Sequence, residues 1–222
     1  MLKNRSRQII SLVLNVIIVV FTVRSILQFF IPIGGDETFL FGAIAFEYFT
    51  VLSNIFIALI SIVIAVFNVI NLVKDTDYLP LIVERIKYVS CCAIGVTMLT
   101  VIFFLGPTQG WGIMYYGVNL YMHLLSPLLA IASFLLFEAK PNRKFYETTY
   151  GILPVLVYGI VYLINVIPLQ NWADFYGFNN GGYWYISFPL MLAASYGISV
   201  GIHYLAKLSY KLQNKEKPSE EK

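Results

Sequence analysis

Charged side chains are scarce in this chain: only 12% of its 222 residues are Asp, Glu, Lys or Arg, whereas 59% are hydrophobic. An ordinary globular domain is about 25% charged and about 45–50% apolar. A chain of this length cannot bury so much apolar surface in one water-soluble core. The composition therefore excludes an ordinary soluble domain and predicts a protein whose surface faces lipid.

Cysteine and histidine are also scarce, with two residues of each. Cys91 and Cys92 are adjacent, so a mutual bridge would be strained, and packing is favoured over thiol chemistry. His123 and His203 lie in different apolar stretches, which is unlike a histidine-rich metal site. The chain also lacks the G-x-S-x-G, H-E-x-x-H and P-loop motifs and the interleaved basic and aromatic residues of nucleic-acid binding. We expect no metal, no cofactor and no nucleic-acid partner.

Six apolar stretches are long enough to cross a bilayer, which takes about 20 mostly apolar residues in a helix. They run over residues 9–31, 43–73, 88–105, 113–137, 149–167 and 184–208. The first is too long for the apolar region of a signal peptide, about 7–15 residues, so we interpret it as a retained helix. The sequence predicts an all-α polytopic membrane protein with six transmembrane helices in one domain, residues 1–212, and a charged, disordered tail, residues 213–222.

Basic residues occur at the chain ends and on alternate connections between these stretches. The connections that follow the second and fourth stretches carry Lys74, Arg85, Lys87, Lys140, Arg143 and Lys144. The other three connections carry no Lys or Arg. Because positive charge stays on the cytoplasmic side, this alternation predicts a cell-membrane protein with both termini in the cytoplasm.

Polar residues stand out in the second stretch. An ionisable residue at the centre of a membrane costs roughly 2.5–3.5 kcal/mol and is a functional candidate by default. Glu47, Thr50 and Asn54 are spaced by three and four residues, so they would share one helical face, which Ser53 borders.

A second polar stripe, Asn119, His123 and Ser126, has similar spacing in the fourth stretch. From the helical rise, Thr50 would lie about 12 Å and His123 about 15–17 Å from the outer ends of their helices. Polar stripes in a membrane turn toward the bundle interior. The two stripes therefore predict one polar pocket in the outer half of the membrane.

Each of these residues also has a purely structural interpretation. The Thr50 hydroxyl would then bond a carbonyl one helical turn back, and His123 would be a hydrogen-bonded interior residue. Arg24 and Glu47 are expected to form an ion pair between the first two helices, because an unpaired charge there would be costly. Asn54 and Asn119 would join neighbouring helices by hydrogen bonds.

The two polar segments resemble those of the androgen-induced protein 1 family, which includes bacterial six-helix relatives. The segment FEYFTVLSN, residues 46–54, is similar to the Thr-bearing segment of that family, and NLYMHLLSPLL, residues 119–129, to its His-bearing segment. The six-helix plan is similar as well. One departure is the start of the sixth helix, where the family often has Tyr-Pro-Phe and this chain has WYISFP at residues 184–189.

The resemblance implies an intramembrane threonine hydrolase. Animal members of the family cleave esters of fatty acids with hydroxy fatty acids, which implies Thr50 as the nucleophile and His123 as its base. Ser53, Asn54 or Asn119 could orient the imidazole or stabilise an oxyanion. Glu47 could reach His123 if Arg24 does not hold it. The expected partners are membrane lipids, including a fatty-acid ester substrate.

Two other functions fit the composition. A non-catalytic accessory protein would not need Thr50 and His123 to converge. A small-solute or proton transporter would use Arg24, Glu47 and His123 as a relay and would need polar groups through the inner half of the membrane. The sequence offers only scattered candidates there, mainly Asn68, Asn71, Ser90 and His203, so the transporter ranks last.

Overall fold

A computed structural model describes residues 4–140 and 143–215 of the chain. All of the long regular elements in these ranges are helices, and six of them are long and apolar enough to cross a membrane. They are α1 Asn4–Gln28, α2 Phe49–Lys74, α3 Leu81–Gln109, α4 Val118–Glu138, α5 Phe145–Val166 and α6 Trp184–Lys215. The predicted six-helix plan is confirmed.

Helix α1 is polar inside and apolar outside, the reverse of a helix in a soluble protein. Its buried face carries Gln8, Ser11, Asn15, Thr22, Ser25 and Gln28. Its exposed face carries Ile9, Val13, Val16, Val20, Val23 and Leu27. In water this arrangement would expose apolar surface and bury polar groups, so it is stable only where lipid surrounds the bundle.

Helix α3 lies at the centre of the bundle and is the most buried of the six spans, whereas α6 is the least buried. Cys91 and Cys92 are fully buried in its core as free thiols. The chain reverses direction between successive helices, so both described ends lie at one end of the bundle. There the Arg7 guanidinium donates to Gln213 Oε1 at 2.5 Å. We call this the termini end and the opposite one the far end.

Two helices at the far end begin later than predicted. Helix α2 begins at Phe49 instead of residue 43, because Tyr48 is extended (φ −86°, ψ 131°) and ends a short 3₁₀ segment, Gly42–Glu47. Helix α4 begins at Val118 instead of residue 113, because Gly117 adopts φ +54°, which favours glycine. A separate short helix, Trp111–Met114, precedes it. Glu47 and Thr50 therefore do not share one helical face.

Other boundaries shift at the termini end. Helix α3 begins at Leu81 instead of residue 88, so Lys87 is a helix residue and not a loop residue. Helix α6 continues through Lys215, into the predicted tail; residues 216–222 lie outside the described residues.

A buried polar network occupies the termini-end half of the bundle. The Lys87 ammonium is fully buried and donates to Asn15 Oδ1 at 2.8 Å and Ser61 Oγ at 2.9 Å. Glu138 Oε2 lies 3.8 Å from it, and Glu138 Oε1 accepts from Asn15 at 2.6 Å and from Ser133 at 2.6 Å. The expectation of only scattered polar groups in this half is wrong, because Lys87 was assigned to a loop.

We expect Lys87→Met to destabilise the bundle by roughly 3–5 kcal/mol, since it leaves the buried Glu138 carboxylate without its cation. Thermal unfolding of the purified protein in detergent measures this effect. Adding Glu138→Leu should restore much of the loss, and Lys74→Met, at an exposed position, is the matched control. A Lys87→Met protein as stable as wild type would contradict the importance of the pair.

Candidate active site

Thr50 and His123 line one cavity near the far end of the bundle. The cavity has a volume of about 250 Å³, and its walls include Met114, Asn119 and Tyr176; we call it the histidine cavity. No hydrogen bond joins Thr50 and His123 among the described residues, and such bonds often tighten only when substrate is bound. Both residues therefore border one cavity, but its lining is mostly apolar and is not the predicted polar pocket, and their chemical roles stay a prediction.

Both residues lie closer to the helix ends than expected. Thr50 is the second residue of α2, and His123 is roughly 7.5 Å from the start of α4 by the helical rise. The predicted depths assumed the earlier helix starts. The site therefore lies near the far-end surface, where the exposed Gln109 and Ile113 border the cavity.

His123 is buried and oriented by a backbone carbonyl. Its Nδ1 lies 2.8 Å from the Met114 carbonyl oxygen. A carbonyl only accepts, so Nδ1 carries a proton, and in the neutral imidazole Nε2 then keeps its lone pair. Nε2 has no hydrogen-bond partner within the described ranges, which leaves it available as a proton acceptor.

The backbone at His123 departs from an α-helix. Residues Tyr121–Leu125 form a π-helical turn. Pro127 lacks the N–H that would bond the His123 carbonyl in a regular α-helix, which explains a change of winding here. Turns of this kind occur frequently at functional sites because they re-aim side chains.

Thr50 lies in the first turn of α2, where backbone N–H groups have no partner inside the helix. Its hydroxyl bonds no carbonyl one turn back in the described structure, since that part of the chain is not continuous with α2. The expected bond of this hydroxyl to a carbonyl one helical turn back is therefore absent, and the Thr50 side chain contacts the Tyr176 hydroxyl instead. The positive end of the α2 dipole favours negative charge at this position.

Thr50 also borders a second, larger cavity of about 490 Å³ with mostly apolar walls, which we call the apolar cavity. Tyr158 and Tyr176 line it near Thr50. Its border includes Phe104 and Leu190, 53% and 68% exposed, so it reaches the lipid-facing surface between α3 and α6. Thr50 is thus in the wall of both cavities.

Asn54 connects the backbones that carry the two candidate residues. Its buried side-chain amide donates to the Thr50 carbonyl at 2.8 Å and to the Met122 carbonyl at 3.1 Å. Ser53 adds a link from α2 to α3 through Thr97 Oγ1 at 2.8 Å. Asn54 and Ser53 hold the helices in register and bond no imidazole nitrogen.

Arg24 and Glu47 do not form the expected ion pair. The ion pairs among the described residues are Arg85–Glu147, Lys87–Glu138 and Arg143–Glu84. Arg24 lies over the Tyr121 ring at 5.5 Å. Glu47 lies in the 3₁₀ segment before α2, and its carbonyl accepts from the Tyr158 hydroxyl at 2.7 Å. Neither residue contacts His123 by a hydrogen bond in the described structure.

The other two supporting candidates, Asn119 and Ser126, do not bond His123 in the described structure. Asn119 lines the histidine cavity, and its amide donates to the Ile113 carbonyl at 3.0 Å, across the turn before α4. The Ser126 hydroxyl is fully buried and has no hydrogen-bond partner in the described part of the chain. Ser126 does not line either cavity.

Sequence reasoning missed Tyr176, which lies in the connection between α5 and α6. Its hydroxyl accepts from the Phe49 amide at 3.0 Å and contacts Thr50. The available signal was the aromatic density of this connection, WADFYGF at residues 172–178. The aromatic side chains of this connection pack against Tyr158 and Tyr162.

We expect Asn54→Leu to lower the free energy of unfolding by about 0.6–1.7 kcal/mol, the range for interhelical hydrogen bonds in membranes. Thermal unfolding in detergent provides the measurement. Asn165→Leu is the matched control, because the Asn165 side chain joins no two helices: its amide donates to Val161 in its own helix, and its oxygen accepts from Asn171 in the next connection. Equal losses in the two variants would contradict the connecting role of Asn54.

No family model, curated protein or solved structure matches this chain. The resemblance to the androgen-induced protein 1 family therefore stays a prediction. The residues themselves support a multi-pass membrane protein with a Thr–His cavity near one surface.

Proposed function

We propose that this protein is an intramembrane hydrolase of lipid esters, with Thr50 as the nucleophile and His123 as the base. One observation carries the proposal: Thr50 borders both an apolar cavity and the cavity that His123 lines. A threonine hydroxyl is a weak nucleophile unless a base accepts its proton. The Nδ1 bond to Met114 leaves His123 Nε2 as that acceptor.

The proposed reaction has two stages: Thr50 is acylated, and the acyl group is then hydrolysed. Thr50 Oγ1 attacks the ester carbonyl carbon while its proton passes to His123 Nε2, and the carbonyl electron pair moves to oxygen. The tetrahedral intermediate then expels the alcohol oxygen, which takes the proton from His123. Water next attacks the acyl carbon of the Thr50 ester while His123 Nε2 takes a proton from it. The bond from that carbon to Thr50 Oγ1 then breaks, Oγ1 takes the proton from His123, and the fatty acid leaves.

The two cavities suit the two halves of such a substrate. The apolar cavity reaches the lipid-facing surface, so an acyl chain can enter it from the bilayer. The histidine cavity reaches the far-end surface beside Gln109, so the alcohol half and the attacking water can use it. His123 lies on the side where the leaving alcohol needs a proton.

The two competing functions have less support. An accessory protein does not require Thr50 and His123 to share a cavity. A transporter would need a polar route between the ends of the bundle, and no hydrogen bond joins the Lys87 network to the histidine cavity in the described ranges.

We also propose that the protein lies in the cell membrane with both termini in the cytoplasm. The far-end connections, residues 29–48, 110–117 and 167–183, contain no Lys or Arg. Lys140, Arg143 and Lys144 lie at the termini end. Positive charge on cytoplasmic connections supports this orientation.

Thr50→Ala is expected to abolish hydrolysis of a fatty-acyl ester, such as 4-methylumbelliferyl oleate in mixed micelles, by the purified protein. His123→Ala should lower the rate by roughly 10²–10⁴-fold, the typical contribution of a general base. Thr50→Ser keeps a hydroxyl and should keep measurable activity.

Thr108→Ala is the matched control, because this far-end threonine is exposed and bonds a carbonyl of its own helix, that of Phe104. The Thr108 variant should hydrolyse the ester at the wild-type rate. Wild-type rates in Thr50→Ala would remove Thr50 from the mechanism and overturn the proposal.

The orientation is tested by single cysteines at exposed positions. Glu37→Cys, at the far end, should react with a membrane-impermeant maleimide in intact cells, whereas Lys144→Cys should react only after the cells are broken. Cys91 and Cys92 are fully buried and add little background. The opposite labelling pattern would reverse the topology.

A further inference from the structure

The Tyr176 side chain reaches the candidate nucleophile from outside the six helices. It belongs to the connection over residues 167–183 and lines both the apolar and the histidine cavities. Its hydroxyl oxygen accepts from the Phe49 amide at 3.0 Å and contacts the Thr50 side chain and amide. The hydroxyl therefore lies where the carbonyl of a bound ester would meet Thr50.

From this placement we infer that Tyr176 is a catalytic residue: its hydroxyl donates a hydrogen bond to the oxyanion that forms when Thr50 attacks an ester. This inference rests on the proposed hydrolase function. Removal of one such donor in a hydrolase typically costs about 10²–10³ in kcat.

The tyrosine hydroxyl has the chemistry of a donor. Its oxygen already accepts from the Phe49 N–H, which polarises the phenol and strengthens its own O–H as a donor. Burial raises the pKa of Tyr176 to about 12, against the opposing effect of its contacts with Thr50, Phe49 and the Tyr158 side chain. The phenol consequently keeps its proton at neutral pH. The N-terminus of α2 adds partial positive charge on the same side.

The connection holds Tyr176 in place through a chain of hydrogen bonds. The Tyr176 amide donates to the Tyr162 hydroxyl at 3.0 Å, and that hydroxyl donates to Asp174 Oδ1 at 2.9 Å. The Asn179 amide donates to Asp174 Oδ2 at 3.1 Å. Tyr176 also packs against Tyr162, Phe175 and Phe178. A donor fixed in advance costs no reorganisation during the reaction, which is how an oxyanion site gains its effect.

A purely structural role is the alternative, in which the Tyr176 oxygen only caps the Phe49 amide at the start of α2. Loss of a cap lowers stability but is not specific for the transition state. Loss of an oxyanion donor lowers kcat and leaves substrate binding almost unchanged. The two roles therefore predict different kinetic effects of the same substitution.

The test is Tyr176→Phe in the full-length protein, with hydrolysis of 4-methylumbelliferyl oleate in mixed micelles. We expect kcat to fall about 10²–10³-fold with KM within a few-fold of wild type. Tyr183→Phe, at an exposed tyrosine of the same connection that lines neither cavity, is the matched control and should keep full kcat. Wild-type kcat in Tyr176→Phe, with Thr50→Ala inactive, would overturn the Tyr176 role and leave the hydrolase function standing.

A second variant separates donation from capping if Tyr176→Phe unfolds. Incorporation of 3-fluorotyrosine at position 176 keeps the oxygen and makes the O–H a stronger donor. At neutral pH kcat should rise with unchanged thermal stability, whereas an unchanged kcat would overturn the inference. Absence of any Thr50-dependent hydrolysis in the wild-type protein would overturn the hydrolase function and the Tyr176 role together.

Discussion

The candidate site depends on one buried side chain, the amide of Asn54. It donates to the carbonyls of Thr50 and Met122, so the start of α2 cannot move along α4 without breaking one of these bonds. Met122 precedes His123 in the π-helical turn. The Asn54 side chain is fully buried between the two helices, which makes this connection between them specific. The shared cavity follows from this register.

The polar interior of the bundle differs between its termini end and its far end. The apolar residues of α1 face outward, and its polar residues form bonds with α2, α3 and α4. At the termini end this arrangement makes a network around Lys87, whose ammonium donates to Asn15 and Ser61 and lies 3.8 Å from Glu138 Oε2, beside a small cavity of about 80 Å³. At the far end it leaves two larger cavities. The contrast suits a well-bonded base that supports the candidate site near the other surface.

Much of the plan could be read from the sequence, because length and hydropathy determine which segments span a bilayer. A shared pocket for Thr50 and His123 was predicted from their depths below the outer helix ends; both border one cavity, although those depths were too large. The starts of α2 and α4 could not be predicted in this way. The break at Tyr48, for example, is set by backbone angles and not by composition. Lys87 was misplaced because a charged residue next to a connection looks like part of it. Tyr176 was missed because its contact with the start of α2 joins residues far apart in the chain, and such a contact leaves no periodic pattern in the sequence.

The most direct test of the account is a search for the covalent intermediate. The wild-type protein is mixed with a slowly hydrolysed long-chain acyl ester, quenched in acid, digested and analysed by mass spectrometry. The account predicts an acyl group on Thr50 that forms much more slowly in His123→Ala. Hydrolysis with the acyl group on another residue, or with no Thr50 adduct at any time, would contradict it.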